Sequence, residues 1–169
     1  LALAYDNFWS TVGVHPDNEG VQEPSVEDLL AKAALPRVVA IGETGLDYYG
    51  MEDRKGGRSV ADLEWQRDRF RTHIRAARAC AKPLIIHTRS ASDDTLAILR
   101  EEGEDGAGNI AGGVFHCFTE SMQVARAALD LGYYLSFSGI ITFKNAQDLR
   151  DVVAFTPLDR ILIETDSPY

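Results

Sequence analysis

The chain reads as an α/β protein of parallel strands, with a (β/α) barrel favoured over an open sheet. Two observations carry this. Six short apolar segments alternate with helical segments along 169 residues, and such alternation implies parallel strands joined by right-handed crossovers. Four of the segments run into a side chain that can bind a metal. Val38 to Gly42 leads to Glu43, Pro83 to Ile86 to His87, Gly113 to Phe115 to His116, and Ile161 to Thr165 to Asp166. Periodicity alone leaves a six-stranded doubly wound sheet open. The ligands favour the barrel, which gathers residues from separated strands at one rim.

The first strand is expected over Trp9 to His15, stopped by Pro16. Ser25 can cap a helix over Val26 to Ala34, with Asp28 at the third position, and Pro36 ends that segment. Val38 to Ile41 is a continuous apolar strand, as expected when both faces are covered. Gly50 to Ala61 is polar and Gly-rich, a mobile loop beside Glu43. A long helix follows over Asp62 to Ala81. Its stripe is Leu63, Phe70, Ile74 and Ala77, while Arg67, Arg71, Arg75 and Arg78 are mostly solvated and His73 lies on the surface between them.

Leu84 to His87 is the next strand, and Ser92 or Asp93 opens a helix ending near Gly103. A turn-rich connection over Glu101 to Gly112 leads to a strand over Val114 to Phe118. Thr119 can cap a helix through Leu131, with Gly132 past its end. Tyr133 to Ser138 is a strand, Asn145 can cap a helix to Phe155 closed by Thr156-Pro157, and Ile161 to Glu164 is the last strand.

Composition bounds the function. The length fits one domain over residues 1–169, and 45% hydrophobic residues can build a core. A net charge of −9 argues against a broad basic face for nucleic acid. It leaves a nuclease open, because divalent cations supply positive charge where a phosphate sits. Cys80 and Cys117 are too few for a disulfide framework and indicate free thiols in a reducing compartment, the cytoplasm. No apolar run approaches the ~20 residues of a membrane span. Leu1 to Ala4, followed by Tyr5-Asp6-Asn7, does not form a signal peptide. The chain does not start with Met, Leu1 reads as mid-helix and Tyr169 as an abrupt stop, so a fragment at both ends is expected.

Glu43 lies in Gly42-Glu43-Thr44-Gly45-Leu46-Asp47, where the glycines let the backbone turn just past the strand and the carboxylate can bridge two cations. His87 and His116 each read equally well as core residues. Together on successive strand ends they read as ligands. Cys117 is expected to point away from His116 into the core. Asp166 can bind a metal and take a proton from an attacking water, or cap a helix before Pro168. Glu164 is a weaker candidate on the same side. His15 can touch substrate or a leaving group, or pack, and Arg89 can clamp a phosphate or sit in a salt bridge. No Gly-x-Ser-x-Gly elbow is present for serine hydrolysis.

GVHP, IGETGLDYY, KPLIIHTRSA, GGVFHCFTE, LGYYLSFSG and RILIETDSPY, in this order, resemble the TatD-related deoxyribonucleases of the amidohydrolase-like superfamily. The resemblance covers nearly the whole chain, least of all Met51 to Val60. It implies a TIM-type (β/α)8 barrel, here about six of eight units, with a divalent metal centre of two ions in the complete protein. By motif it makes Glu43, His87, His116 and Asp166 the ligands, with Asp166 and Glu43 catalytic and Asp166 the proton acceptor. It implies metal-dependent phosphodiester hydrolysis of DNA, exonucleolytic, on single strands or ends. Mg²⁺ is favoured, with Mn²⁺ or Zn²⁺ the alternatives. The family's N-terminal His-x-His pair and first two strands have no counterpart, so two donors are missing and normal turnover is not expected of the isolated chain. An amide or ester hydrolase on the same fold, or an inactive remnant, are the other readings.

Overall fold

The computed structural model describes residues 2–51, 57–106 and 108–167. Residues 52–56 of the expected loop, and Pro168 of the expected cap, lie outside them. Six parallel strands, β1 (Ser10–Val12), β2 (Val38–Asp47), β3 (Leu84–Arg89), β4 (Gly113–Phe115), β5 (Tyr134–Phe137) and β6 (Ile161–Ile163), pair in sequential order. A doubly wound sheet reverses its order at a switch point. This one does not, so the barrel architecture is the one adopted, with β1 and β6 as the edges. Apolar side chains stand exposed beside both edges, Trp9 on one and Leu162 and Ile163 on the other.

Helices α1 (Val26–Ala33), α2 (Glu64–Cys80), α3 (Ser92–Glu101), α4 (Met122–Asp130) and α5 (Gln147–Phe155) fill the crossovers. The α1 start is as the sequence predicts. Ser25 Oγ accepts from the Asp28 amide at 3.1 Å, and Asp28 accepts from the Ser25 amide at 3.0 Å. Two other starts differ. Phe118 still donates its amide to Ser136 of β5, which holds Thr119 out of a helix, and Ser121 caps α4 instead. A turn in which the Ala146 amide bonds the Phe143 carbonyl delays α5, so Asn145 does not cap it.

β2 is longer than predicted and carries Glu43 inside the strand, not past it. The glycines read as turn formers instead permit close approach. A Cβ on Gly45 would sit 2.0 Å from the His87 carbonyl oxygen, and one on Gly42 2.6 Å from Ile85 Cβ. Gly45 also has φ +132°, which other residues rarely adopt. The pairing runs on past both, with Gly45 beside His87 and Asp47 beside Arg89.

A 3₁₀ turn over Val60–Leu63 precedes α2. The stripe of Leu63, Phe70, Ile74 and Ala77 is fully buried, among a core that includes Ile41, Leu46, Leu84, Ile86 and Phe115. Gln66, Arg69 and His73 are buried on the same helix, which corrects the surface reading of His73. Of the arginines expected to be mostly solvated, Arg75 is exposed while Arg67, Arg71 and Arg78 are largely covered, and Arg71 and Arg75 pair with Glu101 and Glu102 at the α3 end.

Glu104 shows how the connection after α3 is tied down. Fully buried, it accepts from the Ala111 and Gly112 amides at 3.0 and 3.1 Å and from the Tyr133 hydroxyl at 3.0 Å. Glu104→Ala orphans all three donors and is expected to cost about 3 kcal/mol or more of stability in urea unfolding, against roughly 1 kcal/mol for Tyr133→Phe. Equal costs would show that the amide contacts contribute nothing.

Candidate metal centre

The ends of β1 to β4 bring three imidazoles onto one carboxylate oxygen. Glu43 Oε1 lies 3.4 Å from His15 Nε2, 3.1 Å from His87 Nδ1 and 3.0 Å from His116 Nε2. The fourth expected residue, Asp166, is 3.7 Å from His116 Nε2. They line one cavity of about 780 Å³ with Asp47 and Arg89. Ligand atoms of His15, Glu43 and His87 lie within 4.8 Å of one another, as do those of His116, Glu164 and Asp166. Adjacent ligands on bonds of about 2.1 Å at right angles are about 3 Å apart, so the spacing around Glu43 fits a divalent cation. The donor set, imidazole with carboxylate, fits one as well.

Each imidazole is held from behind. His87 Nε2 is 3.0 Å from Asp47 Oδ2, and Asp47 also accepts from Arg89 Nε at 3.0 Å. His116 Nδ1 is 2.9 Å from Glu164 Oε1. Glu164 in turn accepts from the Cys117 amide at 2.7 Å and from Ser136 Oγ at 2.5 Å. Glu164 therefore faces the far nitrogen of His116, a second-layer place that orients the ring. Burial opposes ionisation of Glu43, but hydrogen bonds from His116, His15 and His87 outweigh it and hold the carboxyl far below its usual range. Burial likewise opposes the charge on His116, yet Glu164 and Glu43 raise its pKa to about 10. Asp47 is also buried, but bonds from His87, the Tyr49 amide and Arg89 bring it down to about 2.

The expected residues converge, with differences of role. His15 was a substrate candidate and stands within the Glu43 cluster. Arg89 forms the salt bridge the sequence allowed, its Nη2 2.8 Å from Asp47; it also stacks 4.5 Å from the Tyr49 ring centroid and lines the cavity. Cys117 does not point into the core. Its backbone turns through φ +43°, it lines the cavity, and Sγ lies 3.3 Å from Ser138 Oγ. Strand alternation stops at Phe115, so the expectation built on it fails there.

Sequence reasoning missed Asp47 and the polar face of α2. Past the strand ends the ladder runs out, and buried backbone groups need other partners. Gln66 accepts from the Asp47 amide at 3.0 Å and donates to its carbonyl at 3.2 Å. Arg69 donates to the His15 carbonyl at 2.8 Å, and His73 Nε2 accepts from the Val14 amide at 3.0 Å. The i, i+3, i+7 spacing of Gln66, Arg69 and His73, on the side of the apolar stripe, was the available signal.

The family model described as TatD related DNase matches residues 1–169. The chain is 51% identical over 165 residues to the uncharacterized metal-dependent hydrolase YcfH of Escherichia coli, covering 97% of this chain and 57% of that protein. It is 34% identical over 171 residues to the 3'-5' ssDNA/RNA exonuclease TatD of Salmonella typhimurium, covering 100% and 61%. The crystal structure of YjjV, a TatD homolog from Escherichia coli, superposes with a TM-score of 0.82 at 30% identity, covering 99% of this chain and 61% of that one. The chain thus spans somewhat under two thirds of the length of these relatives.

His73 gives the site a pH-dependent support. Burial pushes its pKa down to about 4, against a smaller upward pull from the Arg69 carbonyl. In the unfolded chain it takes a proton near 6.5, so stability is lost as pH falls from about 6.5 to 4. The loss approaches roughly 3 kcal/mol for this shift. His73→Gln keeps an acceptor for Val14 without the titration. Its unfolding free energy, relative to the parent, is expected to improve by that amount between pH 7 and pH 4; a constant difference would remove His73 as the cause.

Proposed function

The chain belongs to the TatD related DNase family, and on that premise we propose that it carries the metal-holding rim of a hydrolase that cleaves phosphodiester bonds in DNA. The observation that carries the reading is the convergence of His15, His87 and His116 on Glu43 Oε1. Residues 1–169 are one part of a barrel domain. Glu43, His87, His116 and Asp166 hold the metal. Mg²⁺ is the favoured ion, suited by the carboxylates, with Mn²⁺ on the same oxygens or Zn²⁺ on the imidazoles the alternatives. A bound divalent cation would polarise the phosphoryl oxygen and make a water more acidic.

The residues of the chain do the rest. Asp166, at the cavity wall and 3.7 Å from His116 Nε2, receives the proton of the attacking water. Arg89, pinned through Asp47, presents its planar cation to a phosphate. It is the only Lys or Arg among the described residues on the cavity wall. With Asp17, Glu43, Asp47 and Asp166 on its wall, the cavity holds an anionic substrate through the metal and this one guanidinium, and not through a basic surface. The relative named as a 3'-5' ssDNA/RNA exonuclease supports a single-stranded substrate attacked from its end. Cys80 and Cys117, both free, fit the cytoplasm, and no helix of the described residues is long and apolar enough to cross a membrane.

In the full-length protein, His116→Ala is expected to lower metal-dependent cleavage of a single-stranded oligonucleotide by about 100-fold or more. Unchanged cleavage would sink the ligand assignment. Hydrolysis of an aminoacyl ester in preference to DNA, under the same metal, would move the reading to an amide or ester hydrolase.

A further inference from the structure

The hydrogen bonds behind the three imidazoles sort them into two kinds. His87 Nε2 faces the Asp47 carboxylate at 3.0 Å and His116 Nδ1 faces the Glu164 carboxylate at 2.9 Å. A carboxylate accepts, so in both rings the rear nitrogen keeps its proton. The nitrogen that faces Glu43 is then the one able to release a proton and offer a lone pair. His15 is wired the other way. Its rear nitrogen, Nδ1, lies 3.0 Å from the Asp17 amide. A backbone amide only donates, so Nδ1 must accept, and the ring proton sits on Nε2. That proton points at the cavity, 3.4 Å from Glu43 Oε1.

We propose that His15 is not a ligand of the metal centre but a fixed N–H donor, which binds an anionic oxygen of the substrate, a phosphoryl oxygen of DNA. The inference rests on the metal-centre reading above and assigns one member of its cluster a different role. The backbone around His15 is built to keep the ring in this state. The Val14 amide is held by His73, the His15 carbonyl by Arg69, and the Asp17 amide by the ring itself. Arg69 is buried, forks onto Glu23 with bonds of 2.7 and 2.5 Å, and lies 4.8 Å from the Trp65 ring centroid. Three backbone points fixed from α2 and from Pro16-Asp17 leave little freedom for the ring to turn over. Binding a cation through Nε2 would require the ring to lose its only proton or break the Asp17 bond. Donating to an oxygen requires neither.

The test reads the ring directly and needs no turnover. Long-range ¹H–¹⁵N spectra of the Mg²⁺-loaded protein are expected to show His15 as the Nε2–H tautomer, with its Nε2 signal moving as inorganic phosphate is added. Calorimetric titration with Mn²⁺ is expected to give His15→Ala an affinity within about twofold of the parent, while His87→Ala and His116→Ala lose at least about tenfold. An Nδ1–H tautomer overturns the proposal, as does an Nε2 signal indifferent to phosphate, or a Mn²⁺ affinity that falls in His15→Ala as far as in His116→Ala. If His87→Ala and His116→Ala bind Mn²⁺ like the parent, the metal-centre reading fails by itself, and the tautomer and phosphate response still decide the role of His15.

Discussion

Glu43 places a negative charge where β2 passes closest to β3, and the neighbourhood is organised around it. A half-buried carboxylate is costly to desolvate, and here three imidazoles oppose that cost from three directions. Their convergence depends on backbone spacing. Gly42 and Gly45 bring the two strands so close that no side chain fits at either position. The register that follows sets Gly45 beside His87 and Asp47 beside Arg89. Asp47 then reaches His87 from behind while Glu43 meets it from the front. A larger residue at either glycine would part the strands and separate the two carboxylates from the ring between them.

Helix α2 supplies the second constraint. An amphipathic helix is usually described by its apolar stripe, and this one has it. Beside that stripe Gln66, Arg69 and His73 are buried because backbone groups at and beyond the strand ends take their hydrogen-bond partners from this helix. Packing and polar satisfaction are thus met by one helix face. The arrangement ties the rim to the core, since Phe70 and Ile74 fix the helix whose polar neighbours hold Val14, His15 and Asp47.

Much of the candidate site was legible. Glu43, His87, His116 and Asp166 could be picked out because short apolar runs signal strands and a polar residue directly after one signals a rim, although β2 and β3 run on past Glu43 and His87. Asp47 escaped notice because β2 was expected to stop at Ile41. The glycines that seemed to end it allow it to continue. Glu164 was placed on the correct side of its strand, but which nitrogen of His116 it faces depends on the turn at Cys117, where alternation no longer applies. His73 resembled a surface residue because its arginine neighbours do, yet one of them, Arg69, is itself buried.

By itself the sequence determined the number of strands and their alternation with helices, the apolar stripe of α2, the cap of α1 and several of the polar residues that line the cavity. Each follows from local rules of periodicity, capping and turn chemistry, which act over a few residues. Tertiary structure alone decided the sequential strand order, the extension of β2 through Glu43, and which face of each imidazole meets which partner. Those outcomes depend on contacts between residues tens of positions apart, such as His73 with Val14 and Glu164 with His116. No local pattern specifies such a distance or the direction of a hydrogen bond across it.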